Sequence, residues 1–398
     1  MKGAEGYMAL KLDMSKAYDR VEWNFLEAVM SRIGFDNRWV QLLMTCVRTV
    51  TYSVLINGRP YGKIYLSRGL RQGDPLSPYF FILCAEGLST GLRKMERAGG
   101  ITGLPLMRGD TRLNHLFFVD DSLLFCKPDT VEWYCIQKVL DDYEKASGQK
   151  LNKGKTSLFF SRNTGEDMRA QIMAVAGIAS TQRYENYLGL LTLIGRSKIS
   201  SFSRIKGRIW DKMQGWKEKF LSHAGKEILL KAVVQAIPTY TMSVFQIPKM
   251  LCNEINSMMA KFWWGHKKND KKVAWMSWEK MGEAKKIGGL GFRDLECFNT
   301  ALLAKQGWRL LQNPDSLVAK VLKEKYFPNG SFLDTPLSKR PSYVWRSIWN
   351  AKRLLEEGLV WRVGNGENIK IWGDKWLPSL TTHAIQSPVH ILNSEAKV

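Results

Sequence analysis

Asp13 and the adjoining pair Asp120-Asp121 are the residues whose type and spacing most readily suggest chemistry; 107 residues separate the first from the second. Two or three convergent carboxylates are hard oxygen ligands. They suit a pair of Mg²⁺ ions, with Mn²⁺ as a substitute, and leave coordination positions open for substrate phosphates. Metals about 3.5–4 Å apart would activate an attacking oxygen and stabilise a leaving one. An acidic pair between two apolar runs also makes an ordinary solvent-facing turn, so the pair alone leaves both readings open.

The surrounding pattern says how such acids are positioned. Residues 7–12 alternate Met8, Leu10 and Leu12 with Ala9 and Lys11, which predicts a half-buried strand with Asp13 at its end, facing away from the core. Ser15 is a candidate N-cap for a helix carrying Val21, Phe25, Val29 and Ile33, with Asp19 in its first turn and Gly34 as its stop. Thr51 to Ile56 and Lys63 to Leu66 read as strands around the hairpin signal Asn57-Gly58. The turn-rich residues 68–75 lead to Ser77-Pro78, the expected start of a helix running to about Ala98. Apolar runs at 116–119 and 123–125 flank the acidic pair, which places Asp120 and Asp121 at a hairpin tip. A helix over about 131–146 and a strand around 156–160 complete an α+β sheet unit. Beyond about residue 196 the pattern changes to basic amphipathic helices, and 12 of the 15 tryptophans lie at or after Trp210.

Composition narrows the partners. The formal net charge is +22 over 398 residues, with +5 in residues 1–160 and +17 in residues 161–398. An excess of this size points to a polyanion, met chiefly by the second part. At about 150 residues per domain the length suggests two or three domains, and 45% hydrophobic content excludes a wholly disordered basic tail. The six cysteines show neither CxxC nor Cys/His spacing, so they read as reduced thiols of an intracellular protein. The longest apolar run, 79–85, is too short to span a bilayer, and no membrane partner is expected.

Three segments occur in order: Lys11-Leu12-Asp13-Met14-Ser15-Lys16-Ala17-Tyr18-Asp19, Arg68-Gly69-Leu70-Arg71-Gln72-Gly73-Asp74-Pro75-Leu76-Ser77-Pro78, and Phe118-Val119-Asp120-Asp121. Together they resemble the reverse transcriptase of LINE-type, non-LTR retrotransposons, most closely the plant elements. The resemblance continues through residues 149–156, Tyr187-Leu188-Gly189, Gly288-Gly289-Leu290-Gly291-Phe292 and Trp372-Gly373-Asp374-Lys375-Trp376-Leu377-Pro378, and so covers nearly the whole chain. It implies a right-hand polymerase palm, an antiparallel sheet with packed helices, followed by a helical thumb and a mostly helical Trp-rich C-terminal region. The expected boundaries are 1–195 for the palm with partial fingers, 196–262 for the thumb and 263–398 for the remainder.

The implied activity is RNA-directed DNA polymerisation: addition of dNTPs to a primer 3′-hydroxyl by two-metal catalysis on an RNA template with a DNA primer. The resemblance makes Asp13 and Asp120 the principal metal ligands, with Asp121 adjacent. Tyr18, five residues after Asp13, falls where the family places an aromatic steric gate against a 2′-hydroxyl; by pattern alone, without the flanking motif, a helix-face core aromatic is the favoured reading. Its presence, with Val119 rather than glycine before the acids, argues against an RNA-copying RNA polymerase. Lys16, Gln72 and Gly73 correspond to nucleotide-binding positions, and Arg68 and Arg71 to phosphate or template contacts, solvent-facing arginines being the alternative. Lys155 matches a lysine that protonates or neutralises departing pyrophosphate, against an ordinary surface lysine. Tyr187, Leu188 and Gly189 resemble the primer grip.

Lys198, Arg204, Lys206, Arg208, Lys212, Lys217, Lys219, Lys226 and Lys231 would follow a duplex backbone regardless of sequence, with Lys206 and Arg208 central. The later tryptophans are expected mostly as core, with stacking on unpaired bases as the alternative. Met1 stands 12 residues before Asp13, so most of the fingers and the upstream endonuclease are expected to be missing. The competing, non-enzymatic reading is a remnant that binds RNA or DNA without copying; an intron-encoded maturase is disfavoured by the Trp-rich tail. The nucleus is the expected compartment, and oligomeric state is left open.

Overall fold

A computed structural model describes residues 5–106, 112–178, 186–192, 194–217, 221–265, 273–378, 382–388, 393 and 395–398. The side chains of Asn186 and Lys217 and all of Lys219 lie outside the described residues. The chain divides into two units, Met1–Gly189 and Leu190–Val398.

The first unit runs β1 (Met8–Leu12), α1 (Trp23–Ile33), α2 (Asn37–Arg48), β2 (Thr51–Ile56), β3 (Arg59–Tyr65), α3 (Ser77–Arg97), β4 (Leu104–Pro105), β5 (Arg112–Leu113), β6 (His115–Phe118), β7 (Asp121–Cys126), α4 (Thr130–Ser147), β8 (Ser157–Phe160), α5 (Glu166–Ala176) and β9 (Asn186–Tyr187). Four strands form an antiparallel sheet in the order β6-β7-β1-β8. Strand β1 is central because its alternation buries Met8, Leu10 and Leu12 beneath helical cover from Leu88, Leu92, Ile136 and Leu140. A second core joins α1, α2 and α3 through Leu26, Met30, Val40, Met44, Phe80 and Phe81. The architecture is α+β, as expected.

Local departures have local causes. Helix α1 begins at Trp23, not near Ser15, and Glu22 is its N-cap. The Ser15 N–H is taken by the Lys150 carbonyl at 2.8 Å, and Met14 bridges to Leu151, so residues 14–20 form turns against the chain leading to β8, and Asp19 is outside any helix. Helix α3 starts at Ser77 with Leu76 as N-cap, one residue earlier than the Ser-Pro pair suggests; the Asp74 carboxylate accepts from the Leu76 N–H at 2.8 Å. Helices α2 and α5 were not anticipated. Asp36 caps α2, accepting from the Arg38 N–H at 2.9 Å.

His115 on β6 gives a measurable pH signature. Its Nε2 lies 3.0 Å from the Ser89 hydroxyl, and its Nδ1 faces the Asn114 side-chain oxygen. Burial, then the nearby Arg93 charge, pushes the imidazole down to a pKa of about 4. The folded protein thus keeps the ring neutral where the unfolded chain takes up a proton, from pH 6.5 downward. Stability is complete above pH 6.5 and is lost as the pH falls toward 4. After solvent screening of a half-buried ring, the loss is about 1–2 kcal/mol. Urea unfolding between pH 7 and 4 should show this decline, and His115→Gln should flatten it.

The second unit runs β10 (Leu190–Leu191), α6 (Lys198–Lys217), α7 (His223–Leu229), a π-helical turn at Leu230–Val234, α8 (Thr239–Met242), α9 (Lys249–Trp264), α10 (Trp278–Gly282), α11 (Leu295–Gln312), α12 (Leu317–Tyr326), α13 (Tyr343–Asn350) and α14 (Lys352–Gly358). Its larger core takes Phe202, Ile209, Ile255 and Phe262 together with Met281, Phe292 and Leu295, drawing on both sides of the expected boundary at 262/263. A second core surrounds the fully buried Trp345. Among the described residues, no helix is long and apolar enough to cross a membrane.

Candidate active site

Strand register brings the acids together. The pairing of β1 with β7 runs to Leu12 and Ser122, one residue short of Asp13 and Asp121. Phe118 pairs with Asp121, leaving Val119 and Asp120 as a two-residue hairpin loop. Val119 has φ +53°, a left-handed conformation that costs a β-branched residue about 1–3 kcal/mol, and its partial burial against the Val21–Phe81 core helps to hold it there. The strain lies in the bend that presents Asp120 to solvent.

Asp13 is fixed through its backbone. Its N–H donates to the buried Thr156 hydroxyl at 3.3 Å, and its carbonyl accepts from the Asn152 N–H at 2.8 Å. Lys11, two residues before it on the same sheet face, places its ammonium 3.6 Å from the Asp121 carboxylate. Among the described residues, no three His, Cys, Asp or Glu side chains form a group able to hold a metal ion. Asp121 faces Lys11, and Asp13, Asp120 and Asp121 are not among any such group of three. By donor chemistry the carboxylates of Asp13, which follows β1, and Asp120, in the loop between β6 and β7, suit a hard divalent cation.

Tyr18 stands beside these acids in a turn, not on a helix face. Its ring stacks on Phe81 with centroids 4.8 Å apart and planes 16° from parallel. Burial, and secondarily the Asp120 charge, raises its hydroxyl above the ordinary tyrosine pKa. The Leu70 N–H donates to the Tyr18 carbonyl and the Gly69 N–H to the Val21 carbonyl, both at 2.8 Å, and the Trp23 indole N–H caps the Gly69 carbonyl at 2.8 Å. This docking requires glycine at 69: φ is +92°, and a Cβ there would lie 2.8 Å from the Asp19 carbonyl oxygen. The docked loop helps to enclose an open cleft of about 500 Å³, lined by Asp19, Tyr52, Ile64, Arg68, Arg71 and Gln72. Gly73 has φ +87°, Arg71 and Gln72 are exposed, and Arg68 pairs with Glu22 at 3.3 Å.

Other expected residues are less tightly drawn in. Lys16 is exposed at φ +51°; Lys155 is exposed beside Thr156, and no contact between it and the acids is found among the described residues. Leu188 and Gly189 have φ +49° and +76°, the geometry of a tight turn after Tyr187. In the second unit Arg208 is exposed on α6, whereas Lys206 pairs with Glu254 at 2.6 Å. Lys226 and Lys231 do not simply line a surface: Lys226 donates to the Trp263 carbonyl at 3.2 Å, and Lys231 bonds Glu227 at 2.7 Å and also reaches the Leu290 carbonyl. Trp263 and Trp345 are core, as expected, while Trp275 is 85% exposed and Trp361 50%. Lys11, Thr156 and Tyr143 were missed. Only Lys11 had a usable signal, its place two residues before Asp13 on one strand face.

Residues 2–191 match the family model described as reverse transcriptase (RNA-dependent DNA polymerase). An uncharacterized mitochondrial protein of Arabidopsis thaliana is 43% identical over 143 residues, 36% of this chain and 93% of that protein. The transposon TX1 uncharacterized 149 kDa protein of Xenopus laevis is 26% identical over 258 residues, 64% of this chain and 19% of that protein. A retrovirus-related Pol polyprotein from the type-1 retrotransposable element R2 of Popillia japonica is 30% identical over 118 residues, 30% of this chain and 18% of that protein. The chain thus matches most of the Arabidopsis protein but less than a fifth of the TX1 and R2 proteins. Among solved structures, telomerase of Candida tropicalis in complex with a fragment of telomeric RNA is a distant likeness, with TM-score 0.39 and 15% identity over 79% of this chain and 48% of that one.

Proposed function

We propose that the chain, whose residues 2–191 match the reverse transcriptase family model and which is similar to non-LTR element proteins, adds deoxynucleotides to a DNA primer 3′-hydroxyl on an RNA template. The observation that supports this reading is the pairing of β1 with β7 as far as Leu12 and Ser122, which ends next to Asp13 and Asp121, with Asp120 in the two-residue loop between β6 and β7.

Asp13 and Asp120, with Asp121 beside them, would hold two Mg²⁺ ions, and such ions would supply Lewis-acid stabilisation of the attacking and leaving oxygens. Tyr18 abuts the sugar and excludes a 2′-hydroxyl. Gln72 and Gly73 let backbone approach the nascent base pair, and Lys16 meets the nucleotide phosphates. Arg68 and Arg71 contact template phosphate, and Lys155 gives a proton to departing pyrophosphate. The turn at Tyr187, Leu188 and Gly189 supports the primer end, and Arg208 with Lys206 tracks the duplex backbone. The domain limits 196–262 and 263–398 and action in the nucleus belong to the same reading, the last checked by imaging a tagged chain in plant cells.

Lys11 competes with a cation for Asp121. Lys11→Met should therefore lower stability by less than about 1 kcal/mol, as for other exposed pairs, while raising Mg²⁺ affinity in calorimetric titration.

The reading is tested by offering the four dNTPs singly to the purified chain on a defined RNA template with an annealed DNA primer. Addition of the complementary nucleotide alone, dependent on Mg²⁺, supports it. A second reading, binding without copying, draws on the pairing of Asp121 with Lys11 and the net charge of +22. Salt-sensitive RNA binding with no addition at any Mg²⁺ concentration would favour it.

A further inference from the structure

Tyr18 is not positioned by its own contacts alone. Gln149, 1% exposed at the C-terminal end of α4, donates from its side-chain nitrogen to the Ala17 carbonyl at 3.0 Å, immediately before Tyr18. Its side-chain oxygen lies 2.9 Å from the Tyr143 hydroxyl, and its N–H donates to the Ser147 hydroxyl at 3.2 Å. The same Tyr143 hydroxyl lies 3.3 Å from the Cys84 carbonyl of α3, the helix that supplies Phe81 beneath the Tyr18 ring. One buried phenol therefore references both the backbone that carries Tyr18 and the wall against which its ring stacks. The surrounding joint is tight: the Glu22 N–H donates to the Ser147 carbonyl at 2.9 Å, and a Cβ on Gly148 would lie 2.6 Å from the Arg20 carbonyl oxygen. The chain between Asp13 and α1 has no helical hydrogen bonds of its own to hold it, so these external bonds set its course.

We propose that Gln149, held by Tyr143, is the positioning residue of Tyr18, and through it sets discrimination between deoxy- and ribonucleotides. The sugar-discrimination part rests on the function proposed above. Gln149→Leu keeps the side chain's bulk but removes both amide bonds, leaving the Ala17 carbonyl unpaired. Tyr143→Phe removes only the hydroxyl at the other end of the relay. A shift of about 1 Å at a reacting centre can change rates by up to about a hundredfold, so a displaced gate has a large readout.

The test measures single-nucleotide addition of dNTP and rNTP together with the ¹⁹F signal of 3-fluorotyrosine at position 18, assigned by its loss in Tyr18→Phe. Ile136→Val, a core change that lowers stability without touching the relay, is the control. Gln149→Leu is expected to reduce discrimination about tenfold, chiefly through a lower rNTP KM, and to move the Tyr18 signal; Tyr143→Phe should do the same more weakly. Ile136→Val should do neither. Polymerisation with unchanged discrimination in Gln149→Leu would overturn the proposal. If the wild-type chain adds no nucleotide, the proposed function fails separately, and the ¹⁹F signal decides positioning: movement supports it and an unmoved signal overturns it.

Discussion

Asp120→Asn and Asp13→Asn should each reduce RNA-templated primer extension at least about a thousandfold, a loss of roughly 4 kcal/mol of transition-state stabilisation. Neither change should reduce folding stability by more than about 1 kcal/mol. Asp120 is exposed in a two-residue loop, a setting in which asparagine is well tolerated, and Asp13 is anchored by backbone bonds to Thr156 and Asn152 that the substitution leaves in place. The carboxylate charge is thus removed while the geometry that presents it remains. Asp121→Asn should cost less activity than either, since this carboxylate is already shared with Lys11. Single-turnover extension beside thermal melting and RNA binding distinguishes these cases. A variant that loses extension only in proportion to lost folding would contradict the assignment.

Gly69→Val should be the most damaging single substitution in the loop that frames the cleft. Any Cβ at this position meets the Asp19 carbonyl oxygen at 2.8 Å, and that backbone atom cannot move without displacing the turn that carries Tyr18. The φ of +92° adds a conformational cost that a β-branched side chain feels most. Together they are worth about 4 kcal/mol or more, against about 2–3 kcal/mol for Gly69→Ala. Gly73→Ala is the contrast: φ is +87°, but no atom lies within 4 Å of the added Cβ, so strain of about 1 kcal/mol is all it should cost. Urea unfolding checks the order Gly69→Val, Gly69→Ala, Gly73→Ala, and equal losses at 69 and 73 would refute the docking argument.

Much of this arrangement is legible in the amino-acid sequence, for identifiable reasons. The alternation around Leu10 and Leu12 and the apolar runs around Asp120 carry period-2 signals strong enough to place the acids at strand ends. Gly34 at φ +100° and Asn57-Gly58 at φ +49° and +79° are turn chemistry that sequence states directly. The start of α1 is not legible there, because Ser15 looks like a cap until its N–H is seen to pair with Lys150, far along the chain. The diversion of Asp121 to Lys11 and the relay from Tyr143 through Gln149 to Ala17 depend on which side chains meet in space. Spacing alone carries no trace of them. The basic character of the second unit is plain from composition, but the inward ties of Lys226 and Lys231 are not, since a lysine's long stem can reach a carbonyl or an ion partner as readily as water.

The proposed function requires that the sheet end bearing Asp13 and Asp120 hold the divalent cations of a polymerase. Ferrous iron substituted for Mg²⁺ in the intact chain, with ascorbate and peroxide, cuts backbone next to bound metal and needs no turnover to report. Cleavage confined to residues near 13 and 119–122, suppressed by excess Mg²⁺ and abolished in the Asp13→Asn, Asp120→Asn double variant, is the predicted result. Cleavage elsewhere, or cleavage at this sheet end that survives loss of both carboxylates, would contradict it.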